Sequence, residues 1–276
     1  MRTPSIERPP TPRDGSRAGW LLATPAVTGL AMLLATDRVH LGAAAGDALA
    51  FIGGVLASVV PLALASPARL PRRLALGLPL LCTAALVAAS LWARHPPAPL
   101  VNLTLVGVAH AIGTAIGRRV QHPGHLLPAC IVAAAADAAS VFHPAGPSHA
   151  IAASDAALSV LSIQFPVPGA PAVAPVLGVG DLVFFALVLG VVTTHGLSVL
   201  RASLLGLAGA LVAGALAAWL RAPIPALIPI AGFIAGGLPA ARRLRPEDRR
   251  VTWLVAVLAV GVALGVVVQR WVLAAG

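Results

Sequence analysis

Charge is what this chain has least of. Of its 276 residues only 10% are charged and 58% are hydrophobic, whereas a soluble domain carries about 25% charged residues. So few charges cannot clothe a water-soluble surface, so most of the surface has to face lipid. Lysine is missing, and all 19 basic residues are arginine. A net charge of +10 would suit nucleic acid, but the arginines fall between apolar runs, as they do in proteins that fix their orientation in a bilayer. The expected partner is therefore the lipid bilayer, with no nucleic acid. Tyrosine is also absent, and cysteine is reduced to Cys82 and Cys130. Each cysteine lies inside an apolar run, with no CxxC and no Cys/His spacing. That excludes a disulfide framework and a zinc site, so the two read as small apolar residues, with no metal and no cofactor expected.

What is present is a succession of apolar runs. A bilayer core takes about 20 apolar residues per helix. Nine runs meet that length approximately, at 20–36, 43–65, 74–93, 99–117, 126–142, 174–194, 199–219, 222–240 and 252–273. The fold class expected is an all-α, polytopic transmembrane helix bundle of about nine spans. Residues 1–18, rich in Pro and Arg, read as a disordered cytoplasmic tail. Residues 19–124 hold N-terminal transmembrane helices, 125–240 a core with an external loop at 143–173, and 241–276 a basic loop and last helix. With a cytoplasmic N-terminus, 15 of the 19 arginines fall inside and 4 outside, a strong positive-inside asymmetry. The expected location is a multi-pass position in a prokaryotic inner membrane. Within the loop, 150–161 reads as a short interfacial helix and the stretch from Ser162 as extended.

Ionisable residues inside a membrane are costly and are functional candidates for that reason. Of the acidic residues, only Asp47, Asp137 and Asp181 fall in the runs. Asp47 is near the end of its run and reads as an interface residue. Asp137, in Val132-Ala-Ala-Ala-Ala-Asp137, is about five residues from the outer end of its helix, or roughly 7–8 Å. Asp181, in Gly178-Val-Gly180-Asp181, lies about seven residues, or roughly 10 Å, from the outer end of the next, antiparallel helix. The arginine-derived topology thus sets both carboxyls at similar depth. Pro225-Ala226-Leu227 begins a third helix on the same side, where Pro223, Pro225 and Pro229 interrupt the backbone hydrogen-bond ladder. Irregular backbone at membrane depth belongs beside a wet cavity.

Two carboxyls held close together cannot both ionise, so such a pair keeps one proton between them. One can deprotonate a water while the other protonates a carbonyl, which hydrolyses a peptide bond without metal or covalent nucleophile. Gly178 and Gly180 are expected to let a backbone approach Asp181. Asn102 and His110 read as groups that satisfy interhelical hydrogen bonds, and Gly113 and Gly117 as a GxxxG packing contact. His143, His149 and His195 read as solvated interface residues.

These segments resemble the presenilin and signal peptide peptidase family of GxGD intramembrane aspartyl proteases. Gly178-Val-Gly-Asp-Leu-Val-Phe-Phe is similar to its GxGD segment, Pro225-Ala-Leu to its PAL motif, and Asp137 stands where its first aspartate does. The likeness covers roughly residues 125–230. It departs in carrying Ala136 where the family has Tyr, and in a helix that follows the PAL helix. The resemblance implies an aspartic endopeptidase with Asp137 and Asp181 catalytic, and with Gly178, Gly180, Pro225, Ala226 and Leu227 binding substrate. Its substrates would be transmembrane peptides or proteins, such as signal peptides or type II anchors, which unwind and add a strand beside the site. The competing reading is a proton-coupled membrane transporter that uses the same aspartates.

Overall fold

The computed structural model describes Thr24 and residues 27–29, 41–67, 72–92, 96–170 and 172–275. Residues 1–18, expected to form a tail, and most of the first apolar run, 20–36, lie outside the described residues. The helices are α1 (Ala43–Ala65), α2 (Arg72–Trp92), α3 (Ala98–Gly117), α4 (Leu126–Phe142), α5 (Pro147–Ala152), α6 (Asp155–Leu161), α7 (Val179–Thr194), α8 (Val199–Leu220), α9 (Leu227–Gly237) and α10 (Pro246–Ala275). Two short strands, β1 (Ser162–Pro166) and β2 (Val173–Gly178), stand between α6 and α7. Five segments among the described residues are long and apolar enough to cross a membrane: Ala43–Ala65, Ala98–Gly117, Pro123–Phe142, Val199–Leu220 and Pro246–Gln269. Val179–Thr194 and Leu227–Gly237 are shorter apolar helices. The chain is thus a helical membrane bundle, with its apolar residues on the outside as well as in the core, as a surface facing hydrocarbon requires.

α7 is the central element. Leu182, Phe184, Phe185, Ala186, Val188, Leu189, Val191 and Val192 are all buried, so it is enclosed on every side. Small residues bring its neighbours close. A Cβ added to Gly113 of α3 would lie 2.5 Å from the Val183 carbonyl oxygen of α7, and one on Gly190 of α7 would lie 2.9 Å from that of Thr114. Gly117 sits against the Leu187 carbonyl. The GxxxG of α3 is therefore a helix-packing contact, and its partner is the helix that carries Asp181. On the other side, Gly206 of α8 receives the Phe185 ring, and Gly209 lies against Ile230 of α9. α4 packs on α9 and α10 and touches α7 only slightly.

One boundary differs from the sequence reading. The run from 174 is not helical at its start: Val173–Gly178 pairs antiparallel with Ser162–Pro166 as a hairpin. Val173, Pro175 and Val176 favour extended backbone over helix, and β1, fully buried, supplies the partner. α7 starts only at Val179, so Asp181 is its third residue rather than lying two turns inside a helix. The run 222–240 likewise shortens to α9, with 223–226 non-helical as the prolines require. The segment expected as one interfacial helix over 150–161 is two, α5 and α6, broken before Ser154, whose hydroxyl caps α6 by accepting from the Ala157 N–H at 3.2 Å.

Candidate active site

Asp181 stands in the first turn of α7. Its Oδ2 accepts the backbone N–H of Gly178, the residue that caps the helix, at 3.1 Å. This links the end of β2 to the start of α7 through the carboxylate itself. A first helical turn leaves its N–H groups without intrahelical partners and carries partial positive charge, so a carboxylate is well placed there.

Asp137, five residues before the end of α4, reaches a different helix. Its Oδ2 accepts the N–H of Leu227 at 2.9 Å. Leu227 is the first residue of α9, and Pro225 just before it is buried. The prolines keep 223–226 out of the helix, which leaves the Leu227 N–H free for a group from outside. Asp137 is thus the cap of α9, supplied from α4. Each carboxylate therefore sits at a helix N-terminus, and the two lie close enough for the charge of Asp137 to act on Asp181. Neither has a further recorded hydrogen bond to the described residues beyond those through Oδ2.

The remaining expected residues fall around this pair. Gly178 and Gly180 take no conformation reserved for glycine; among the described residues the left-handed positions are Gly169, Gly196 and Arg221. Gly180 is exposed, and nothing lies within 4 Å of a Cβ built on it. The glycine there leaves open space beside Asp181. Pro225 and Leu227 are buried and Ala226 half-buried, with the Leu227 N–H as the group in contact with the site. Asp47 is exposed. Among the described residues no cluster of three or more His, Cys, Asp or Glu is arranged to hold a metal ion.

Three polar residues behave differently from their sequence reading. Asn102 bonds to a strand rather than to another helix: its Nδ2 donates to the Gln164 carbonyl at 2.7 Å, and its Oδ1 accepts the Gln164 N–H at 2.8 Å. His110 is 1% exposed, and among the described residues its Nδ1 has no hydrogen-bond partner, so no interhelical bond is seen there through that atom. His195 is half-buried, with Nε2 2.9 Å from the Val120 carbonyl oxygen, and so ties the C-terminal end of α7 to the segment after α3. Cys130 is buried and free, as an apolar residue.

No family model, curated protein or solved structure matches this chain.

Proposed function

We propose that the chain is an intramembrane aspartyl protease that hydrolyses peptide bonds within transmembrane segments of signal-peptide or type II anchor type, with Asp137 and Asp181 as the catalytic pair. The observation that carries this reading is two carboxylates, each accepting the N–H of a helix N-terminus, with Asp181 within reach of the charge of Asp137.

In the reaction, one carboxylate takes a proton from water as its oxygen attacks the scissile carbonyl carbon. The other, carrying the shared proton, gives it to the carbonyl oxygen. The tetrahedral diol then collapses, the amide nitrogen takes a proton from the dyad, and the C–N bond breaks. The resemblance to the GxGD family supplies the substrate class, and β2 supplies the docking edge. Val167 N–H donates to the Ala172 carbonyl at 2.9 Å, so by antiparallel alternation Val173 and Pro175 turn their ladder groups away from β1. Among the described residues no strand or side chain bonds to that edge, which leads directly to Asp181 and can receive an unwound segment by strand addition. Gly180 leaves room for that segment's backbone.

The decisive experiment incubates the purified protein in detergent with a single-span model substrate and identifies products by mass spectrometry. Wild type cleaves within the span, and Asp137→Ala and Asp181→Ala do not. Cleavage that survives in either variant, or proton-driven solute uptake by a protein that cleaves nothing, overturns the proposal.

A further inference from the structure

We infer that Asn102 is a positioning residue for the cleavage reaction: through α3 it fixes the height of the hairpin relative to Asp181, and so selects which substrate bond is cut. This deepens, and rests on, the protease reading above.

The Asn102 side chain ends in the same donor and acceptor pair as a peptide group. It meets the N–H and C=O of one residue, Gln164, at 2.8 and 2.7 Å, as a neighbouring strand would at a single position. The ladder makes this the expected place. With Val167 and Ala172 bonded, alternation leaves Gln164, opposite Pro175, with both groups turned away from β2. Asn102 fills that outward side of β1. Asn102, Gln164 and their bonds are buried, where two unpaired peptide groups would otherwise stand without water. The sheet is thereby closed on the β1 side, and β2 is left as its receiving edge.

The same helix also grips α7. Asn102 is followed on α3 by Gly113 and Gly117, which lie against Val183, Leu187 and Val191 of the Asp181 helix. α3 therefore acts as a spacer. One end holds the strand that orients the docking edge, and the other holds the helix that carries the carboxylate. The register shift between Ile163 and Gln164 falls beside the Asn102 bond, at the place where a two-stranded ladder is most able to slip. Loss of the bond would let the hairpin slide while both aspartates stay in place.

The test uses the full chain in detergent with a single-span substrate, and reads the distribution of cleavage positions together with kcat and KM. Asn102→Leu, which keeps the volume and removes both bonds, is expected to cut at bonds one or two residues to either side of the main one. KM should rise several-fold. Asn102→Asp, which still accepts from Gln164 N–H but donates only while its carboxyl is protonated, should give an intermediate spread that widens as pH rises. Wild type measured at the same interval below its own unfolding midpoint controls for lost stability, which lowers total activity without moving the cut. If both Asn102 variants cut only at the wild-type bond with unchanged KM, the positioning role is wrong and the protease reading stands. If wild type cuts nothing, both fall.

Discussion

At the residue scale, the two aspartates stood out because a carboxylate inside an apolar run is costly to bury. Their partners were less so. That Asp137 would be held by Leu227 N–H follows only once the prolines are seen to start α9 at that residue. Asn102 looked like any polar side chain on a membrane helix, because its partner is a backbone group 62 positions away, and sequence spacing carries no trace of such a contact. Replacing it by Leu strands a buried N–H and a buried C=O, each costing about 1–3 kcal/mol, so the unfolding midpoint in detergent should drop clearly. Gly180 is the opposite case. With open space around it, Gly180→Ala should leave stability within about 0.5 kcal/mol while raising KM, since the added methyl intrudes only on what docks there. A fall in thermal stability with unchanged KM would contradict this. Pro175→Ala should lower KM instead. It restores one N–H on the receiving edge, and a net backbone hydrogen bond of about 1 kcal/mol corresponds to roughly fivefold in affinity.

At the element scale, most apolar runs became helices at nearly the expected limits, since an uninterrupted run of that length has no other way to satisfy its backbone in lipid. The failures lie where proline and β-branched residues gather, at 173–178 and 223–226. Hydropathy cannot separate a buried strand from the start of a helix, and only the hairpin partner settles it. The α3–α7 contact was read correctly as packing, and it bears on activity because it seats the Asp181 helix. Gly117→Val drives a branched side chain into the Leu187 carbonyl. Overpacking of this kind typically costs about 1–3 kcal/mol. Both the unfolding midpoint and kcat should fall, and an unchanged midpoint would mean that the helices separate freely there. By contrast, the His125–Asp248 pair at 3.0 Å, which joins the base of α4 to α10, is about one-third exposed on each side. Asp248→Ala should change stability by less than about 1 kcal/mol.

At the scale of the whole molecule, the two aspartates sit on helices with different neighbours. Asp181 is on α7, packed most extensively on α3, and Asp137 is on α4, packed on α9 and α10; α8 packs closely on α9 and also touches α7. The close approach of Gly209 to Ile230 joins α8 to α9. The bundle was foreseeable from composition, whereas this choice of neighbours was not, because it depends on which small residues face which helix. The arginine pattern makes a further claim, that residues 143–173 lie outside and 242–250 inside. Single cysteines placed at Ser154 and at Arg249 should react with an impermeant thiol reagent from opposite sides of sealed vesicles. Labelling of both from one side would refute that topology.

A strand edge left unpaired for substrate is equally available to a second copy of the same chain, and in the plane of a membrane such encounters are frequent. Pro175 bears on this as well. With no N–H at that position, a neighbouring edge meets a gap in the ladder, so edge-to-edge association is cut short while a docked segment can still be held on either side of the gap. The residue that weakens substrate capture would then also keep the molecules apart, and the tighter-binding Pro175→Ala form should be the one that clusters.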